Sequence, residues 1–289
     1  MEKDAADRPA HAAEDWTIPQ DWGRYDAADH VMWDRLFERQ AHMLEGRVVP
    51  EFLAGLDILR MDRPGIPDFR ALNERLMPAT GWQVVAVPGL VPDRLFFDHL
   101  ANRRFPAGRF IRTPSQEDYL EEPDIFHDVF GHVPLLANSV FADYMQAYGR
   151  GGLRADGLGA IEKLARLYWY TVEFGLIDTP QGLRLYGAGI VSSNAESHFA
   201  LEDPSPNRIG FDLKRIMRTR YRIVDFQQSY FVIDSFEQLL AQTTGADFAP
   251  LYADLAGLPD LDTDAILPGD RVLTRGTQAY AQKKEEELS

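Results

Sequence analysis

Between Ala27 and Gly46 the apolar positions Val31, Leu36, Phe37, Met43 and Leu44 are separated by charged residues, a pattern that predicts an amphipathic helix. A second helix is expected from Val49 to about Arg60. Pro64-Gly65-Ile66-Pro67 ends it, and Asp68 is placed to cap a third helix running through Met77. Gly81-Trp82-Gln83-Val84-Val85-Ala86-Val87-Pro88 reads as a short strand, followed by a turn at Pro88, Gly89 and Pro92 and a short helix over Leu95 to Asn102. Arg109-Phe110-Ile111-Arg112 is expected as a strand with both arginines on one side. Beyond it the pattern turns mainly helical: Ile161, Leu164, Ala165, Tyr168 and Val172 predict a helix over Ala160 to Leu176, and another is expected over Phe231 to Thr243. The fold class is therefore mainly α, an α+β arrangement with a few short strands. No internal repeat or linker divides the chain. The expected organisation is an arm over 1–25, anchored by Trp16 and Trp22, one domain over 26–280, and a charged, frayed tail over 281–289.

Composition narrows the chemistry. Thirty basic against 45 acidic residues give a net charge of −15, which repels nucleic acid and anionic membrane surfaces and favours small-molecule work. Cysteine is absent, so any metal site must be built from histidine and carboxylate. The first residues carry no basic-then-apolar signal, and no apolar run is long enough to span a bilayer, so a cytoplasmic protein is expected.

The densest polar constellation is Pro123-Asp124-Ile125-Phe126-His127-Asp128-Val129-Phe130-Gly131-His132-Val133-Pro134, two histidines among large apolar residues. Their i, i+5 spacing separates them by roughly 140° on a regular α-helix. Convergence on one ligand therefore needs a break, which Gly131 and Pro134 can provide. Two hydrogen-bonded core histidines would give the same pattern. Further on, Glu173 is the only carboxylate in Tyr168-Trp169-Tyr170-Thr171-Val172-Glu173-Phe174-Gly175. Left buried and unpaired it would cost several kcal/mol (roughly), and a cation, an arginine partner or exposure at a helix edge each relieves that cost. Two histidines and one carboxylate on one side of a metal form the arrangement of non-haem iron(II) oxygenases, which leaves positions open for oxygen.

The Pro123–Pro134 segment closely resembles the metal-binding motif of the pterin-dependent aromatic amino acid hydroxylases. Tyr168 to Leu176, Tyr186-Gly187-Ala188-Gly189-Ile190-Val191-Ser192-Ser193 and Tyr221 to Phe236 follow in that family's order. The resemblance covers roughly Gly81 to Phe236 and implies that His127, His132 and Glu173 hold Fe(2+), with a tetrahydropterin as co-substrate and O2 as oxidant. It further implies that Arg112 receives the substrate carboxylate and Asp124 orients it. Trp169 and Phe174 would shape the ring pocket, with Gly189 and Ser192 lining its amino acid end. Leu90, Val91 and Phe96 would hold the pterin, Phe96 by stacking, and Asp128 would reach it through water.

Asp128 departs from the glutamate of the animal members, and Leu120 from their hydroxyl residue. The chain has no room for their regulatory domain and too short a tail for their tetramer-forming helix, so a monomer is expected. Trp169 resembles the phenylalanine and tyrosine hydroxylases more than the tryptophan hydroxylases, and Ile223 is apolar where tyrosine hydroxylases place an acidic residue. The resemblance therefore favours L-phenylalanine hydroxylation at the ring 4-position, with tryptophan 5-hydroxylation as the alternative within the family. The reading from another class is a non-catalytic, metal-stabilised amino acid binding protein; it needs a fourth ligand among His11, His30, His42, His99 and His198.

Overall fold

The structure is a computed structural model and describes residues 8–117 and 122–288. Residues 1–7 of the expected arm and Ser289 of the tail lie outside the described residues. The arm crosses the surface with Trp16 buried, and the Ile18 N–H donates to the Ala86 carbonyl. Trp22 is more exposed but donates its indole N–H to the Ile66 carbonyl at 2.7 Å.

Helices α1 (Ala27–Leu44), α2 (Pro50–Leu59) and α3 (Phe69–Thr80) follow the apolar pattern. Asp26 and Asp29 form a reciprocal cap at the start of α1, and the Asp68 carboxylate accepts from the Arg70 N–H at the start of α3. Next come β1 (Gln83–Val87), α4 (Asp93–Ala101) and β2 (Arg104–Gly108), a parallel pair joined by its crossover helix. The second strand is thus Arg104–Gly108, not Arg109–Arg112. Pro106, with no N–H to donate, is tolerated because β2 is an edge strand, and it hides the strand from a propensity reading. Residues 109–112 leave the pair. Three positions apart, Arg109 and Arg112 would face opposite sides of any strand; here Arg109 reaches the Pro19 carbonyl at the surface while Arg112 turns inward.

A π-helix over Phe126–His132 runs into α5 (Val133–Leu136), then α6 (Ser139–Gly157) and α7 (Ile161–Tyr168). The expected helix over Ala160 to Leu176 changes twice: a second π turn occupies Trp169–Glu173, and β3 (Gly175–Thr179) takes up the chain after it. The remaining elements are β4 (Gly182–Leu185), α8 (Ala188–Val191), α9 (Asn194–Glu202), β5 (Asn207–Gly210), α10 (Leu213–Arg218), β6 (Ser229–Ile233), α11 (Phe236–Thr244), α12 (Phe248–Ala256), β7 (Val272–Thr274) and α13 (Ala279–Leu288). Five strands form one sheet in the order β4-β3-β6-β5-β7, parallel at β3–β6 and β6–β5 and antiparallel at both edges. The expected helix over Phe231 to Thr243 therefore begins late: its first three residues belong to β6 and α11 takes up the chain from Phe236. Ser229–Ile233 is buried at every position, as a central parallel strand covered on both faces must be, and such a run lacks the alternation that marks a strand. The tail is helical over Ala279–Leu288, not frayed, with Ala281 buried. Among the described residues no helix is long and apolar enough to cross a membrane.

The core lies between the sheet and the long helices. The first π-helix is pinned to it by Phe126 and Phe130, stacked at 4.7 Å; Trp33 meets Phe126 edge-on at 5.2 Å and Phe52 meets Phe130 at 5.6 Å.

One carboxyl group is sealed into this packing beside an aromatic hydroxyl. Glu196 on α9 is buried and accepts a hydrogen bond from the Tyr230 hydroxyl, and burial pushes its carboxyl up to about 7. A raised carboxyl contributes stability fully present below its unfolded value of 4.5 and lost as pH rises through about 7. Glu196→Gln removes that term. Relative to the wild type it should therefore gain in urea midpoint between about pH 5 and about pH 8, with no further change above. A constant difference across that range contradicts the assignment.

A candidate metal centre

The π winding of Phe126–His132 resolves the five-residue spacing without a break. A helix that closes its hydrogen bonds from i to i+5 sets such residues nearly one above the other. Gly131 and Pro134 do not interrupt it; Pro134 sits in the first turn of α5, where its missing N–H is harmless. Gly131 is needed for a different reason, since a Cβ there would lie 3.0 Å from the Ala188 carbonyl oxygen.

The two imidazoles meet with their Nε2 atoms 3.2 Å apart. Glu173, delivered by the second π turn, places Oε1 3.2 Å from His132 Nε2 and Oε2 3.6 Å from His127 Nε2. Ligands bound at about 2.1 Å and at right angles about one ion stand about 3.0 Å apart. The two 3.2 Å separations are close to that and the 3.6 Å one is longer, so the three side chains lie near enough to share one ion from one side. The hydrogen bonds favour the same conclusion. Ser192 Oγ donates to the Ala188 carbonyl at 2.8 Å, so toward His127 Nδ1, 2.9 Å away, it can only accept. The proton of His127 is therefore on Nδ1, and the Nε2 lone pair faces the centre. Burial depresses its pKa to about 4, which keeps the ring neutral. For Glu173 burial acts upward, but the His132 and His127 imidazoles outweigh it and hold the carboxyl below 4.5.

The surrounding segments are built for this approach. Added to Gly187, a Cβ would lie 2.4 Å from the Glu173 carbonyl oxygen, and one on Gly189 would lie 2.9 Å from Phe174 Cζ. Only glycine lets the start of α8 pass this close to the ligand's own segment. The ring of His132 lies against Phe105 at 4.8 Å and parallel to Tyr168 at 6.2 Å. Among the described residues this is the one group of three or more histidine or acidic side chains with ligand atoms so close, all within 4.8 Å. Among the described residues no further histidine joins as a fourth ligand: His99 bonds the Asp15 carbonyl and His30 the Ile66 N–H. The residues present fit iron(II), with coordination positions left open.

A sequence profile described as biopterin-dependent aromatic amino acid hydroxylase matches residues 12–249. The chain belongs to this family. It is 66% identical over 273 residues to the phenylalanine-4-hydroxylase of Caulobacter vibrioides, covering 94% of this chain and 92% of that one. To the Ralstonia nicotianae phenylalanine-4-hydroxylase it is 64% identical, covering 91% and 84%. The iron- and phenylalanine-bound crystal structure of Chromobacterium violaceum phenylalanine hydroxylase superposes with a TM-score of 0.87 at 58% identity, over 91% of this chain and 96% of that one.

Around the hydroxylase triad, Arg112 is buried and grips Asp124 through Nε and one terminal nitrogen, both at 2.8 Å. The other terminal nitrogen donates to the Glu117 carbonyl at 3.2 Å. Burial pushes the Asp124 carboxyl up, but the Arg112 hydrogen bonds and charge more than offset it. Asp124 also accepts from the His127 backbone N–H at 3.0 Å, joining this pair to the metal helix. Trp169 lies against Phe174 at 4.8 Å and stacks on Tyr221 at 4.3 Å. Phe96 is partly exposed and edge-on to Tyr168 at 5.7 Å; Leu90 and Val91 lie in the loop before α4, Leu90 exposed. Asp128 accepts from the Gly108 N–H at 2.7 Å, and burial pushes its carboxyl up to about 7. Leu120 lies outside the described residues.

Sequence reasoning missed the Ser192–His127 bond, which spans 65 positions, and the parts of Tyr168 and Tyr221, aromatic residues like many others in the core. Ser192→Ala leaves the Nδ1–H of His127 without its acceptor. It should weaken iron(II) binding about 10- to 100-fold, measured by anaerobic titration, with an unchanged melting temperature. Equal affinity would show that the serine does not orient the ligand.

Proposed function

We propose that this protein hydroxylates L-phenylalanine to L-tyrosine, using O2 and a tetrahydropterin at the iron(II) held by His127, His132 and Glu173. The observation that carries the reading is the face of three ligand atoms with open positions opposite, in a chain 58–66% identical to three bacterial phenylalanine-4-hydroxylases. Iron(II) and the pterin supply the O2 activation that no side chain performs. The chain's own work is placement. Arg112 presents its outer edge to the substrate carboxylate, because Asp124 occupies the inner one. Trp169 and Phe174 hold the ring in an apolar pocket that excludes water, with Gly189 and Ser192 at its amino acid end. Phe96 offers a flat face to the pterin beside Leu90 and Val91, and Asp128, fixed by the Gly108 N–H, faces it through solvent. The catalytic domain in this reading is 26–280, with the arm 1–25 and the tail 281–289 outside it, in a cytoplasmic monomer.

The test is anaerobic loading with iron(II), then O2, tetrahydropterin and phenylalanine, with tyrosine followed by chromatography beside a metal-free control. Tyrosine that requires both iron and pterin is expected; none from fully metallated protein overturns the reading. Glu173→Gln should lower iron affinity by more than the about 10- to 100-fold that an outer partner costs and abolish turnover while the fold persists. A metallated, active variant would sink the ligand assignment.

A further inference from the structure

Gln227 has no role so far, yet it is 2% exposed and both ends of its amide are engaged. Its Oε1 accepts from the Trp169 indole N–H at 2.9 Å. Its Nε2 donates to the carbonyls of Arg222 and Asp225 at 2.7 and 3.2 Å. Carbonyls only accept, so the amide cannot be turned over, and its oxygen must face the indole. The following strand β6 is buried throughout, which gives the side chain a rigid base. From there it ties together two things: Trp169, in the π turn that ends at Glu173, and the 221–226 segment, which stacks Tyr221 on Trp169 at 17° between planes.

An indole has one polar atom. With that N–H taken by Gln227, Trp169 offers the pocket only carbon, and its ring plane is set from the edge by a hydrogen bond and from the face by Tyr221. We infer that Gln227 is the positioning residue that fixes the Trp169 indole and thereby makes the pocket select an unsubstituted aromatic ring. A hydroxyl or indole N–H carried in by another amino acid would be buried there without a partner, a discrimination on the order of 100-fold in a purely apolar site. The inference rests on Trp169 lining the substrate ring, as proposed above.

The test uses Gln227→Met, which keeps length and volume and removes both polar ends, together with Trp169→Phe and the double variant. Loss of the bond should raise KM for phenylalanine about tenfold, the factor that ~1.4 kcal/mol gives, with a smaller change in kcat. It should also narrow the kcat/KM ratio of phenylalanine over tryptophan. Because Gln227 acts through Trp169, adding Gln227→Met to Trp169→Phe should change little. Effects that multiply in the double variant, or an unchanged KM in Gln227→Met, overturn the inference. A second readout needs neither iron nor turnover. In 15N-labelled wild type, with Trp169→Phe identifying its signal, the Trp169 indole N–H should exchange slowly with solvent and lose that protection in Gln227→Met. A freely exchanging N–H in the wild type overturns the inference even if the variants fail to fold. Wild type that makes no tyrosine but keeps a protected N–H, lost in Gln227→Met, would instead fail the functional reading and leave the positioning bond standing.

Discussion

Bringing two imidazole nitrogens to 3.2 Å from residues five apart requires a helix wound more loosely than α. That winding is locally unfavourable, and the rest of the molecule supplies what keeps it. Phe126 and Phe130 project from the same π-helix into the core, stacked on each other and flanked by Trp33 and Phe52, so unwinding it would empty the core as well as the site. The absence of a side chain at Gly131 lets α8 lie close beneath. The histidines are thus fixed by packing on the side away from the metal.

The same device recurs at the third ligand. Trp169–Glu173 is also π-wound, and its last bond, from the Phe174 N–H to the Trp169 carbonyl, hands the chain directly to β3. Sheet and site are therefore one construction: β3 holds the far end of the turn, β6 lies beside β3, and the residues just before β6 reach back to Trp169. The start of α8, brought close to Glu173 and Phe174 by Gly187 and Gly189, continues to Ser192, which fixes the tautomer of His127. A disturbance anywhere on this circuit reaches a metal ligand within one or two contacts.

How much of this the chain discloses depends on the range of the interaction. His127, His132 and Glu173 stand out because ionisable groups among aromatics need partners and no cysteine competes for the metal. The first three helices are legible from apolar spacing, the third also from its Asp68 cap. The π turns are not: five-residue spacing reads as a conflict with helical geometry, and the looser winding that removes it is held by tertiary packing. Nor are β2 and β6, one disguised by Pro106 and the other a fully apolar run whose period is silent. Ser192 and Gln227 are ordinary polar residues until their partners, 65 and 58 positions away, are seen beside them.

With Arg112 receiving the substrate carboxylate as proposed, the Arg112–Asp124 pair would couple substrate binding to metal binding. Both members are buried, and a buried ion pair contributes little net stability, because desolvation offsets much of its attraction. Removing one member is another matter, since the survivor is left charged and unmatched. Asp124 nevertheless does more than pair: Oδ1 accepts from both Arg112 and the His127 backbone N–H, and Oδ2 from the Arg112 backbone N–H. One carboxylate thus sets the direction of the guanidinium and caps the start of the helix that carries the iron ligands. In the proposed reading, a substrate carboxylate seated on Arg112 would act on the same Asp124 oxygen that accepts from the His127 N–H, which would link the substrate's polar end to the metal helix through a single group.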